Sequence, residues 1–177
     1  MKTSDKNIVN RCRPGFDASC SFCCGSHNFL LSQNEIEGIF VKRDYVDALS
    51  KVHPEDSFEA KLIKDGMQCP YIGISDNIHL CCLIYSEDHE GKVYESFFNG
   101  TCKSFLCAAW SELTDIEVLF SAELMKDWYY YSLLINSPEI VTRLCAEYSV
   151  PENITEDALG ELKIELKRRL LEDDMMY

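Results

Sequence analysis

Cysteine constrains what this sequence can fold into more than any other residue. The chain has ten cysteines in 177 residues, and all of them except Cys145 lie between Cys12 and Cys107. They form four groups: Cys12; Cys20, Cys23 and Cys24; Cys69, Cys81 and Cys82; Cys102 and Cys107. In a reducing compartment such cysteines do not form a disulfide framework, so their uses are metal binding, redox chemistry or burial as small hydrophobic side chains.

The expected compartment is the cytoplasm. Residues 1–11 are polar and lack the apolar core of a signal peptide. No stretch approaches the roughly 18–20 uninterrupted apolar residues that a spanning helix needs. We therefore expect reduced thiols, and unliganded thiols at this density would be an oxidation hazard.

The charge of the chain limits its partners. Thirty acidic residues stand against seventeen basic ones, for a formal net charge of −13. A surface this acidic repels phosphate, so we expect neither nucleic acid nor anionic membrane as a partner. A protein partner remains possible, although the sequence does not identify one.

The hydrophobic pattern predicts a mainly α fold in a single domain, residues 1–177. Its two parts are an irregular cysteine-cluster part with short β segments, 1–110, and a helical part, 111–177. The length and the 46% hydrophobic content suit one domain with its own core.

Five helices and two extended segments are predicted. The first helix begins at Ser32, which has a capping-box partner in Glu35, and its apolar face is Ile36, Ile39, Phe40, Val46 and Leu49. Two extended segments follow, Cys69–Ile74 and His79–Tyr85, with turn residues at 75–77 between them. A short helix is expected around Lys103–Trp110. Later helices are expected over Thr114–Leu134, from Ser137 and from Thr155. In the first of these later helices the expected buried face is Ile116, Leu119, Phe120, Leu124, Trp128 and Tyr131.

The segment Cys20-Ser-Phe-Cys23-Cys24 has the spacing of a metal-binding motif. A spacer of two residues lets both sulfurs reach one metal, while backbone amides donate hydrogen bonds to the thiolates. Neighbouring residues on an extended chain point in opposite directions. Cys24 would therefore bridge to a second metal or reach the same site through an irregular turn, which Gly25 would favour.

Three further motifs follow in a fixed order. They are Cys69-Pro70-Tyr71-Ile72, Cys82-Leu83-Ile84-Tyr85, and the segment from Cys102 to Cys107 with Phe105 inside it. Together with the first motif, this order resembles the cysteine-cluster family with a C-x-x-C-x-x-C-C signature, the YkgJ-like proteins, to which flagellin lysine methylases are related. Cys20, Cys23 and Cys24 correspond to the last three cysteines of that signature.

The sequence departs from the family pattern at a few positions. The first signature cysteine falls at Asp17, so either Cys12 replaces it from a longer loop or Asp17 supplies an oxygen ligand. Lys103 stands where the family has arginine, Cys81 is additional, and residues 87–100 resemble an insertion.

The resemblance implies a bound metal, which would be zinc or, alternatively, the iron of an iron–sulfur centre. Arg11, Arg13 and Lys103 are placed to offset the negative charge of the thiolates, and His27 or His79 could add a nitrogen ligand. The ligand set that follows is Cys12, Cys20, Cys23, Cys24, Cys69, Cys82, Cys102 and Cys107.

Three functions of different classes fit these residues. The first is a metal-binding protein with closed thiolate sites. The second is an iron–sulfur-dependent enzyme, an oxidoreductase or a relative of the methylases. The third is a structural metal site whose helical part binds a partner. The sequence contains no Gly-rich phosphate loop, HExxH motif or nucleophile elbow, so whether the chain is an enzyme stays open.

Overall fold

Helices dominate the part of the chain that the structure, a computed structural model, describes: residues 9–27, 31–40, 72–75, 79–82 and 107–172. Two strands and two short 3-10 helices, Phe22–Cys24 and Pro151–Asn153, complete it. In chain order the longer elements are α1 Gln33–Phe40, β1 Ile72–Ser75, β2 His79–Cys82, α2 Ala108–Glu112, α3 Asp115–Met125, α4 Trp128–Ile135, α5 Pro138–Glu147 and α6 Glu156–Leu171. The predicted fold class, mainly α with short β segments and a helical C-terminal part, is confirmed.

A tight turn opens the cysteine-rich part. The Ala18 amide donates to the Gly15 carbonyl at 3.0 Å, and Phe16 and Asp17 between them both have positive φ, 56° and 59°. Positive φ at both central residues is the mark of a type I′ hairpin turn. The Cys20 amide also donates to the Cys12 carbonyl at 3.0 Å. The turn thus brings two cysteines that are eight residues apart in sequence next to each other.

The 3-10 helix Phe22–Cys24 follows directly and ends at Gly25. Gly25 has φ 90°, and its amide donates to the Phe22 carbonyl at 2.9 Å. A side chain is strained in that left-handed region, so glycine suits this position. The irregular turn expected at Gly25 is confirmed.

The two strands pair as an antiparallel ribbon. Ile72 lies opposite Cys82, and Gly73 lies opposite Cys81. The predicted extended segments are confirmed where the structure describes them, and their residues 69–71 and 83–85 lie outside the described ranges. The connecting turn, together with Cys69, Cys102, Lys103, Val46, Leu49 and residues 87–100, lies outside the described residues.

The predicted helix over Thr114–Leu134 is wrong in one respect, because it is two helices. Lys126 adopts the left-handed conformation with φ 51° and ends α3. Asp127 then caps α4, because its carboxylate accepts a hydrogen bond from the Tyr130 amide at 2.6 Å. The predicted start of α3 is confirmed, since Thr114 and Glu117 form a capping box.

The break changes which residues of α3 are buried. Ile116, predicted to face the core, is 78% exposed, and Leu119 is half-buried. Val118 and Ala122 take the inner positions instead. The predicted burial of Phe120, Leu124, Trp128 and Tyr131 is confirmed.

Helix α4 is the centre of the core. Its sequence is apolar on nearly every side, which is typical of a helix surrounded by other elements. It packs against α3, α5, α6 and β2. The residues of α4 that lie buried are Trp128, Tyr129, Tyr131, Ser132, Leu133, Leu134 and Ile135.

The remaining helices agree with their predicted starts. Ser137 precedes α5 with Pro138 in its first turn, and the Thr155 hydroxyl caps α6 by accepting from the Ala158 amide. Ser32 precedes α1, and its amide donates to the Glu35 carboxylate at 2.9 Å. None of the helices that the structure describes is both long and apolar enough to cross a membrane.

Candidate metal centre

Five thiols from separate segments of the chain come together beside α4. Burial raises the pKa of Cys12 well above its usual value, and the charges of four other cysteines raise it further. Charge effects of this kind are strongest between groups that lie close together and are partly shielded from water. The five cysteines are Cys12, Cys20, Cys23, Cys82 and Cys107. This group is called the thiol cluster below.

The thiol of Cys20 lies near several polar groups. Burial and the charge of Cys23 raise its pKa to about 12, while interactions with the Phe22 backbone and the Ser132 side chain lower it. The side-chain amide of Asn136 also donates to the Cys20 sulfur, at 3.7 Å. Donors of this kind stabilise a thiolate, which has no proton of its own to offer.

Cys107 lies at the N-cap of α2, and the Trp110 amide donates to its backbone carbonyl at 2.9 Å. Its side chain makes no capping hydrogen bond. Burial raises the pKa of Cys107, and the nearby backbone of Trp110 and Ala109 lowers it.

Cys23 differs from the other members because it is exposed. A hydrogen bond from the Cys24 side chain lowers the pKa of Cys23 to about 7, against the opposing effect of burial. The neighbouring cysteines of the 3-10 helix thus interact directly with each other.

The neighbours Cys81 and Cys82 of β2 have separate environments. Cys82 belongs to the thiol cluster, whereas Cys81 is buried and its sulfur accepts a hydrogen bond from the Arg13 guanidinium at 2.6 Å. Side chains alternate between the two faces of a strand, which separates the sulfurs of adjacent residues. Cys81 is therefore placed differently from the predicted ligands, and Arg13 contacts it rather than standing apart in solvent.

Arg11 joins the cysteine-rich segment to the helices. Its side chain is 7% exposed and forms an ion pair with Asp115 at 2.7 Å. The same guanidinium donates to the carbonyls of Val9 and Leu113 and lies over the Trp110 ring, 4.5 Å from its centroid. Its charge is therefore paired with the carboxylate of Asp115.

Tyr131 of α4 lies against the same segment. Its hydroxyl donates to the Arg11 carbonyl at 2.9 Å. Burial raises the pKa of Tyr131 far above its usual range, and the charges of Cys20 and Cys12 raise it further. The tyrosine thus fixes the backbone next to Cys12 while its hydroxyl stays neutral.

His27 occupies an aromatic pocket. Its ring stacks on Phe22 at 5.3 Å and lies 4.7 Å from Tyr129 and 5.8 Å from Trp128, measured between centroids. Nδ1 is 2.8 Å from the Ser26 hydroxyl, and Nε2 has no hydrogen-bond partner among the described residues. Burial lowers the pKa of His27 to about 3, so the ring is neutral at physiological pH.

The structure brings together five of the eight predicted ligands, and Cys24 adjoins them through its contact with Cys23. Asp17 is exposed in the type I′ turn, and Cys69 and Cys102 are not among the described residues. In the described ranges, no three His, Cys, Asp or Glu side chains have the geometry to hold a metal ion. The thiols there are neighbours, and they do not form a finished coordination shell.

Ser132 and Asn136 are the functional candidates that sequence reasoning missed. They flank the apolar run from Leu133 to Ile135. They are four positions apart in sequence and therefore lie on one face of the helix. A buried polar pair at that spacing in an apolar helix is the signal that would have indicated them.

The structure also has an open groove between α2 and α5. Its volume is about 470 Å³. Its lining includes no cysteine and consists of Glu112, Pro138, Glu139, Thr142, Arg143 and Ala146. The groove is therefore separate from the thiol cluster.

The chain was compared with known proteins. No known protein family, no curated protein and no solved structure matches it. The resemblance to the cysteine-cluster family thus depends on the cysteine motifs alone and stays a prediction.

Proposed function

We propose that this chain is a metal-binding protein whose clustered cysteines hold zinc, or alternatively an iron–sulfur centre, as thiolates. The observation that carries the proposal is the thiol cluster itself. It gathers Cys12, Cys20 and Cys23 with Cys82 and Cys107, from three regions that are far apart in sequence. Cys24, Cys69 and Cys102 complete the proposed ligand set through the motifs that contain them.

The donors fit such a metal chemically. Zinc and iron–sulfur centres both take cysteine thiolates as ligands. Cys12, Cys20 and Cys107, whose pKa values burial raises, remain protonated by themselves, because each further negative charge is costly in a poorly solvated place. A bound cation supplies the positive charge that removes this cost, and binding then releases protons.

The hydrogen-bond donors around the sulfurs support the same conclusion. The Asn136 side chain donates to the Cys20 sulfur at 3.7 Å, and interactions with Phe22 and Ser132 lower the pKa of the same thiol. Thiols buried only as small hydrophobic side chains have no need of such donors, whereas metal-bound thiolates are usually surrounded by them.

The proposal extends to the role and the surroundings of the protein. Sites closed by four thiolates suit storage, transfer or structural roles, while a catalytic zinc keeps one position open. Reduced thiols fit a cytoplasmic location. The net charge of −13 disfavours nucleic acids and anionic membranes and leaves a protein partner as the open class.

The test is elemental analysis of the full chain purified without oxygen, with a visible absorption spectrum of the same sample. Zinc in stoichiometric amount without colour supports the binding proposal. Iron with acid-labile sulfide and a brown absorption band supports the iron–sulfur alternative, and with it an enzymatic role. A protein with neither metal and with ten titratable thiols would refute both.

A further inference from the structure

Helix α4 has two polar side chains that face the thiol cluster. We infer that Ser132 and Asn136 are positioning residues, which hold and polarise the Cys20 sulfur for the metal proposed above. This inference rests on the proposed function and deepens it, because it assigns to the helical part a share in the metal site.

Asn136 is the more fixed of the two donors. Its side-chain nitrogen carries two protons, and it lies 2.8 Å from the Ser132 carbonyl and 3.7 Å from the Cys20 sulfur. One proton ties the side chain to its own helix, and the other is directed at the sulfur. An amide held in this way needs no reorganisation when the sulfur becomes charged.

Ser132 contacts the cysteine segment through both of its hydrogen-bonding functions. Its oxygen accepts from the Ser21 amide at 3.1 Å. Its proton is donated to the Ser19 carbonyl at 3.4 Å. The Ser132 side chain thus binds the backbone on both sides of Cys20, which fixes where the Cys20 sulfur lies.

A second set of hydrogen bonds fixes the segment that contains Cys20, on its C-terminal side. The Ser21 hydroxyl donates to the Ser26 hydroxyl at 2.9 Å, and Ser26 is 2.8 Å from Nδ1 of His27. Ser21 and Ser26 are both fully buried. The backbone on the C-terminal side of Cys20 is thus fixed to α4 through Ser21 and to the aromatic pocket through His27, so its sulfur has little freedom relative to Asn136.

The position of these donors has a chemical consequence. Hydrogen bonds to a ligating sulfur draw electron density away from it and fix its direction toward the metal. Loss of such an outer-shell partner usually weakens metal binding about 10- to 100-fold. It should also shift the sulfur-to-metal charge-transfer absorption to lower energy, because the sulfur lone pairs are no longer stabilised.

The experiment uses Co²⁺ as the metal probe, titrated into the full reduced chain without oxygen. Asn136→Asp replaces the donor with a negative charge, and Ser132→Ala removes the hydroxyl. Asn153→Asp, in the exposed 3-10 helix Pro151–Asn153, makes the same charge change away from the thiols. Ser121→Ala removes a buried helical hydroxyl that donates only to the Glu117 carbonyl at 2.8 Å.

We expect both Asn136→Asp and Ser132→Ala to bind Co²⁺ about 10- to 100-fold more weakly than their controls, and Asn136→Asp to shift the charge-transfer bands to lower energy. A purely structural role would lower the melting temperature without moving the bands. If Ser132→Ala does not fold, Asn136→Leu decides, since Asn136 is half-buried and leucine has a similar shape.

Two failures are distinguishable. If the wild-type chain binds no Co²⁺, the proposed function fails and this inference with it. If the wild-type chain binds Co²⁺ and the α4 variants match Asn153→Asp and Ser121→Ala in affinity and spectrum, this inference alone is overturned.

Discussion

The buried His27 makes the stability of the protein depend on pH in a defined window. Burial among aromatic rings lowers its pKa from 6.5 to about 3. Below pH 6.5 the unfolded chain therefore binds a proton at His27, whereas the folded chain binds it only near pH 3. The stabilising effect of a neutral His27 is complete above that pH, and it is lost as the pH falls from 6.5 toward 3.

The size of the effect follows from the two pKa values. Between about pH 8 and about pH 5, the unfolded state gains roughly 2 kcal/mol from protonation of His27, while the folded state gains almost nothing. The result at about pH 5 depends weakly on the folded pKa as long as that pKa stays near 4 or below.

The assay is urea denaturation at the two pH values, for the wild type and His27→Phe. Phenylalanine fits a pocket already made of Phe22, Tyr129 and Trp128, and it does not titrate. Burial raises the pKa of Tyr129 to about 12, so this neighbour stays neutral throughout the window. Relative to the wild type, we expect His27→Phe to be about 2 kcal/mol more stable at the lower pH than at the higher one.

A control separates titration from loss of packing. Ile140→Val removes one buried methylene group from α5 and should cost about 1 kcal/mol at both pH values. The free energies of unfolding of the wild type and Ile140→Val should change in parallel between the two pH values. If those of the wild type and His27→Phe also change in parallel, then the ring of His27 is not buried as a neutral group.

Three other predictions use the same denaturation assay or a metal analysis. Cys23→Ser or Cys82→Ser should lower the bound metal and the melting temperature, whereas Cys145→Ala should leave the metal content unchanged, and the reverse pattern would contradict the ligand assignment. Arg11→Met should cost about 2 kcal/mol, because it leaves the buried Leu113 carbonyl without its charged donor; an unchanged free energy of unfolding would argue against the Arg11 contacts. Phe16→Asn should raise the free energy of unfolding by about 0.5–1 kcal/mol, since asparagine tolerates the φ of 56° better than phenylalanine; a loss of stability would count against the turn.

Local signals in the sequence predicted much of the helical part. The starts at Thr114, Ser137 and Thr155 could be predicted because each has a capping or first-turn residue that acts over three or four positions. The end of α3 could not, because Lys126 does not favour a left-handed conformation by itself. The capping of α4 by Asp127 explains the end of α3, and this role becomes visible only once the break between the two helices is known.

The sequence predicted part of the thiol cluster and none of its surroundings. Cysteine spacing indicated that Cys20 and Cys23 lie close together, since two intervening residues restrict where the sulfurs lie, and the assignment of ligands stays a prediction. The donors Ser132 and Asn136 are more than 110 residues from the cysteine they contact. No local pattern links residues so far apart, and only the packing of α4 against the cysteine segment brings them together.

The ion pair between Arg11 and Asp115 can form only late in the synthesis of the chain. The ribosome releases the segment from Cys12 to Cys24 long before it has made the helices that hold it, because the contacts with Asp115, Tyr131 and Ser132 span 104 to 120 residues. During that interval the thiols lack both their hydrogen-bond donors and their buried setting. A nascent chain therefore exposes the thiols from Cys12 to Cys24 well before it can enclose them, and they are open to oxidation until α4 has emerged.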